Sequence, residues 1–99
     1  MKFRYEISKL ALSDLDTIWH YTAEQWSKQQ ASKYYKQIFQ AINDICSKPE
    51  IGKTINEIKE GQRMMNVKSH MIVYKIGNKK ILIDRILHQR MDLEAQLNE

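Results

Sequence analysis

Near the end of the chain, Arg85-Ile86-Leu87-His88-Gln89-Arg90-Met91-Asp92 brings two permanent cations and one imidazole close together. A guanidinium fork holds phosphate or carboxylate oxygens, and a histidine exchanges its proton near neutral pH. The cluster therefore suits a bound phosphate, an acidic partner or a reacting nucleotide. The same residues also have a purely structural reading, which the residues alone favour: Arg85 paired with an acid beneath a sheet, His88 capping a strand end, and Arg90 paired with Asp92 or Glu94.

Other chemistries find little support. The three glycines, at 52, 61 and 77, match neither a phosphate-binding loop nor a dinucleotide fingerprint. His20, His70 and His88 sit on separate elements with one cysteine elsewhere, so no metal-ligand spacing exists and neither a metal nor a cofactor is expected. Cys46 follows Ile45 at the end of an apolar stripe and reads as a buried structural thiol. Trp19, Trp26, Tyr34, Tyr35 and Phe39 could stack on bases, but their helical spacing fits a core stripe, leaving one or two at a rim as partner anchors.

The elements that must position these groups follow from periodicity. Lys2 to Ile7 alternates, as a strand with one buried face does. Ser8 caps a helix running to about Trp26 through Ala11, Leu15, Ile18, Trp19, Thr22 and Trp26. Ser27, with Gln30 three residues on, opens a second helix along Ala31, Tyr34, Tyr35, Ile38, Phe39, Ile42 and Ile45, which Pro49 and Gly52 stop. Residues 50–61 read as a connecting loop with Gly61 as its final turn. Strands are expected over Arg63 to Val67, His70 to Ile76 and Lys80 to His88, the last two joined by a Gly77-Asn78 hairpin turn. ILIDRIL is almost continuously apolar, so that strand is covered on both faces and its charges, Asp84 and Arg85, must be paired or edge-facing. MDLEAQL adds a short terminal helix.

The expected fold is thus α+β, a single domain over residues 1–99. A three-stranded antiparallel meander is joined by the first strand, a two-helix hairpin covers one sheet face, and a short helix follows.

Charge is unevenly spread over this framework. From Lys59 to Arg90 eight basic residues face two acidic ones, a balance of +6, whereas the rest carries eight basic and ten acidic, −2, giving the chain its +4. A surface of that kind attracts nucleic acid, nucleoprotein or an acidic segment, although a solvated lysine surface would look the same. A single cysteine fits a reducing cytoplasm. The alternating MKFRYEIS lacks the apolar core of a signal peptide and no apolar run reaches ~20 residues, so neither secretion nor a membrane partner is expected.

Several phrases resemble a known family. RILHQRMDL, preceded by SHMIVYKI and the glycine-asparagine turn, resembles the final hairpin of ParE toxins in the RelE/ParE family. LALSDLDTIWHYTAEQW with the tyrosine-rich helix after it is similar to their N-terminal helical hairpin, so the resemblance spans nearly the whole chain. It implies the RelE/ParE-like fold and a toxin of a type II toxin–antitoxin system that arrests growth by inhibiting DNA gyrase without chemistry of its own. The positions it puts at the target are Arg63, His70, Arg85, His88, Arg90 and Met91. It also implies a ParD-like antitoxin, which alone contacts operator DNA; Trp19, Trp26 and Tyr34 are the expected antitoxin anchors.

The RelE branch of the same family implies a different activity, ribosome-dependent mRNA cleavage, which requires positive charge on the sheet and a histidine or tyrosine near the C-terminus. Its middle strand commonly reads RLVY, where this chain has Met71-Ile72-Val73-Tyr74, and no tyrosine follows Tyr74. Arg85 and His88 remain for that reading. A third is an inactive member kept for its antitoxin contacts.

Overall fold

A computed structural model describes residues 2–97. Strand β1 (Arg4–Ile7) leads into helices α1 (Lys9–Gln25) and α2 (Lys28–Ser47); a 3-10 turn (Pro49–Ile51) and a two-residue strand β2 (Lys53–Thr54) follow. Strands β3 (Arg63–Val67), β4 (His70–Ile76) and β5 (Lys80–His88) and the short helix α3 (Leu93–Leu97) complete the order. Each long helix starts where a serine supplies the missing acceptor: Ser8 Oγ takes the Ala11 N–H and Ser27 Oγ takes the Gln30 N–H, both at 3.0 Å.

The five strands form one sheet in the order β1-β5-β4-β3-β2, with β1 parallel to β5 and the remaining pairs antiparallel. On one face Ile72, Tyr74, Ile81, Ile83 and Ile86 pack beneath Leu15 and Ile18 of α1 and Ile38, Ile42 and Ile45 of α2. On the other, Met71, Val73 and Leu87 are covered by Ile55 and Ile58 from the connecting segment and by Leu93 and Leu97 of α3. Coverage on both faces is what the apolar β5 sequence demands. No helix among the described residues is long and apolar enough to cross a membrane.

One irregularity lets charged residues sit in that strand. Val73 pairs with Arg85 but Tyr74 pairs with Ile83, so Asp84 is an extra residue, a β-bulge. Strict alternation after Ile81 and Ile83 would bring Arg85 beneath the helices; the bulge gives that place to Ile86.

The structure departs from the sequence reading in detail. Trp26 is not on the α1 core stripe, which consists of Ala11, Leu15, Ile18 and Thr22; the helix ends at Gln25, and Trp26, at φ −125° and ψ −80°, has left the helical phase and is 76% exposed. The β4–β5 turn is Asn78-Lys79 rather than Gly77-Asn78: the Gly77 N–H bonds the Lys80 carbonyl at 2.7 Å, and Lys79 takes the left-handed φ of 56°. The terminal helix starts at Leu93 and not at Met91, and the segment expected as plain loop contributes β2.

That segment is pinned by Tyr74. The phenol is fully buried, donates to the Pro49 carbonyl at 2.7 Å and accepts the Gly52 N–H at 2.9 Å. A Cβ on Gly52 would collide with the Tyr74 hydroxyl, so only glycine fits. Replacing Tyr74→Phe strands a buried N–H and a carbonyl, and should lower unfolding stability by about 1–3 kcal/mol in urea titration. Wild-type stability in that variant would show that the segment is not held there.

Candidate functional site

Strand β1 stops pairing at Ile7 opposite Ile83, which leaves the outer edge of β5 open beyond that point. Helix α1 closes it with side chains. Ser8 donates its N–H to the Ile83 carbonyl at 3.0 Å and its hydroxyl to the Asp84 carbonyl at 2.7 Å; Asp14 accepts the Ile86 N–H at 2.9 Å. The same carboxylate receives Arg85 through Nε and Nη2, both at 2.9 Å, with each side chain 15% exposed. This bidentate pair makes Arg85 a fixed structural cation neutralised in place, as the structural reading of the sequence has it.

Next to this seal lies a cleft of about 950 Å³ between α1, the start of α2, the β3–β4 turn and the exit of β5. His70 and His88 are cross-strand partners, and their rings meet edge to face with centroids 5.2 Å apart. The Tyr34 hydroxyl lies 2.6 Å from His70 Nδ1 and 3.2 Å from the Val67 carbonyl. Burial first, and then the neighbouring His88, push the His70 value down to about 4 against a smaller opposing pull from Asp14; the ring is neutral at physiological pH. Burial also raises the Tyr34 value, so it stays a phenol. His88 Nδ1 accepts the Arg90 N–H at 3.1 Å, which assigns the proton of its neutral form to Nε2. The Gln89 N–H bonds the Ser69 carbonyl at 2.8 Å and ties the strand exit to the turn.

Of the residues singled out in the sequence, His70, His88, Arg90, Met91, Trp26 and Tyr34 converge on this cleft. Those assigned to a target and those assigned to an antitoxin thus share one site. Three others do not line it. Arg63 is at the far end of β3, roughly 13 Å of strand away, where its guanidinium bonds the Gly52 carbonyl at 2.8 Å. Arg85 is engaged by Asp14, and Trp19 is half-buried on α1 against His20. Arg90 has not paired with Asp92, whose carboxylate caps α3 through the Glu94 N–H at 3.0 Å.

Sequence reasoning missed Lys68, Tyr21 and Asp14, all of which line the cleft. Tyr21 carried a signal, since an aromatic beside Thr22 falls off the core stripe and must face outward. Lys68 is at φ 52° in the β3–β4 turn and carried none. His70 and His88 converge although they lie on separate strands, but no group of three or more His, Cys, Asp or Glu suited to a metal forms among the described residues.

Comparison with known proteins bears on the family and the fold. The family described as ParE toxin of the type II toxin–antitoxin system parDE matches residues 5–93. A Toxin ParE1 of Mycobacterium tuberculosis is 36% identical over 98 residues, covering 98% of this chain and all of that protein. A Toxin ParE1 of Caulobacter vibrioides is 33% identical over 93 residues, 94% of this chain and 96% of that one. Among solved structures, the chromosomal ParDE system of P. aeruginosa superposes with a TM-score of 0.76 at 18% identity, covering 88% of this chain and 96% of that one. The toxin–antitoxin complex RelBE2 of M. tuberculosis gives 0.63 at 15% identity, covering 90% and 100% respectively.

The His70 environment has a measurable consequence. Its folded value lies below the unfolded value of about 6.5, so between the two the unfolded chain binds more protons. Stability is therefore complete above about 6.5 and is lost as pH falls toward 4. An NMR titration should find one imidazole with a midpoint near 4, absent in His70→Gln, together with weaker acid dependence of stability in that variant. Titration of His70 above 6 would contradict the burial described.

Proposed function

The chain belongs to the ParE toxin family, and from that membership we propose that it arrests growth by binding and inhibiting DNA gyrase and is neutralised by a cognate ParD-like antitoxin. Residues 1–99 act as one toxin domain, in the cytoplasm, and operator DNA is reached only through the antitoxin. The observation that carries a binding role over a nuclease role is the state of the second sheet face. Met71, standing where RelE-like enzymes commonly carry arginine, is 6% exposed in an apolar cluster with Ile55, Val73, Leu87 and Leu97. A thioether closed in by aliphatic groups neither holds a phosphate nor stabilises a developing charge. Arg85, the other cation of that reading, is already committed to Asp14.

The target surface is then the rim formed by His70, His88, Arg90 and Met91, of which Arg90 and Met91 are exposed and Met91, at 47%, is the apolar contact. Arg63 and Arg85 support it at a distance by holding the connecting segment and the β5 edge. An antitoxin segment that is disordered alone would fold across α1, using Trp19, Trp26 and Tyr34 as anchors. Because Trp26 and Tyr34 line the same cleft as the target residues, a seated antitoxin would cover them, which accounts for neutralisation by occlusion.

Expression without antitoxin should induce an SOS response and gyrase-dependent cleavage of supercoiled plasmid. The Arg90→Glu, Met91→Glu double variant should abolish both while remaining folded, since both residues are exposed. Arg85→Glu is unsuitable, because it would set a second carboxylate against Asp14. Ribosome-phased mRNA cuts without an SOS response, or full toxicity of the folded double variant, would overturn the assignment.

A further inference from the structure

The lining of the cleft narrows what it can hold. On the helical side Tyr21 and Trp26 are 64% and 76% exposed, two large aromatics with most of their surface left to solvent at the mouth of a concavity. On the strand side Lys68 and Arg90 supply cations, and the His70 and His88 rings add flat faces and polar edges. The sole acidic residue lining the cleft among the described residues is Asp14, and its oxygens are taken by Arg85 and the Ile86 N–H. The cavity is therefore aromatic and cationic with no uncommitted carboxylate. That is the composition of sites that bind single strands, in which bases stack on aromatic faces and phosphates meet fixed cations.

Two alternatives fit less well. An added peptide strand needs an open sheet edge, but beside the cleft two edge groups of β5 are already engaged, the Asp84 carbonyl by Ser8 and the Ile86 N–H by Asp14. A duplex is read by a helix or ribbon that protrudes into a groove, whereas this surface is a hollow. At about 950 Å³ it is at the upper end of the roughly 300–1,000 Å³ typical of ligand clefts.

We propose that this cleft binds an unpaired nucleic-acid strand, with bases stacked on Trp26 and Tyr21 and phosphates held by Lys68 and Arg90, and that the strand is DNA. The choice of DNA over RNA rests on the gyrase reading; the single-strand chemistry does not. In that setting the toxin grips a strand exposed on the gyrase–DNA complex, and the antitoxin competes with it for Trp26.

The test uses the purified full chain and fluorescein-labelled probes followed by anisotropy: a short oligothymidylate, a duplex of equal length, oligouridylate, and an acidic peptide containing one tryptophan. Oligothymidylate should bind more tightly than the other three, with log K falling against log salt at a slope of about −1.4, as two phosphate contacts on a single strand require. Trp26→Ala should weaken binding roughly 5- to 150-fold, the worth of one base–aromatic stack. Lys68→Asn, which tolerates the left-handed backbone, should lower the salt slope by about 0.7. Lys36→Glu, on the exposed face of α2, should change affinity by less than about twofold, being screened from the cleft. No oligothymidylate binding, equal or tighter binding of duplex or peptide, or indifference to Trp26→Ala would overturn the strand assignment. Equal binding of oligouridylate would overturn the choice of DNA. Failure of the inference is separable from failure of the gyrase reading. SOS induction surviving in Trp26→Ala removes the first and leaves the second, and oligothymidylate binding by a chain that induces no SOS response does the reverse.

Discussion

The carboxylate of Asp14 stands where a neighbouring strand would otherwise be. Strand β5 is nine residues long and β1 only four, so more than half of the β5 outer edge has no backbone partner. An unpaired edge invites association with another chain, and proteins commonly blunt it with a bulge, a charge or a covering helix. All three occur together here. The Asp84 bulge turns the strand, Ser8 and Asp14 satisfy its exposed groups, and the Arg85 guanidinium returns to the same carboxylate. A half-buried aspartate so placed is matched by one guanidinium and one N–H, which offsets the cost of taking it out of water.

This arrangement also shapes the cleft. With Arg85 committed and Ile86 turned beneath the helices, the permanent charges left at the strand exit are Lys68 and Arg90, with the His70 and His88 rings lining the same cleft. We read the surface that results as one of recognition. The other sheet face reinforces that character, since α3 and the connecting segment close it with aliphatic side chains. Tyr74, the last tyrosine in the sequence, spends both its donor and its acceptor on the Pro49–Gly52 backbone.

Much of the architecture was legible because it rests on local signals. Ser8 and Ser27 cap their helices as their positions in the sequence require, Gly61 takes the positive φ of 80° that a turn needs, and the apolar run in β5 foretold two covered faces. That Asp84 and Arg85 must be paired or edge-facing was legible too, but their partners were not: Lys59 and Asp14 are distant in sequence, and no local pattern connects them. Trp26 misled because helical phase was extended one residue past the point where the helix ends. The convergence of His70 and His88 depended on the β4–β5 register, which the sequence leaves open until the Asn78-Lys79 turn and the Asp84 bulge are fixed. Lys68 itself could not be found, since a lysine in a turn looks the same whether it faces a cleft or bulk water.

The account stands on the coupling between Asp14 and Arg85, and a double-mutant cycle on stability measures it directly. Asp14→Ala, Arg85→Ala and the double variant, unfolded in urea, should yield a coupling energy of roughly 1–3 kcal/mol, as expected for a half-buried bidentate pair. Independent, additive losses with a coupling near zero would mean that the edge of β5 is held by other contacts and that the cleft does not depend on this pair.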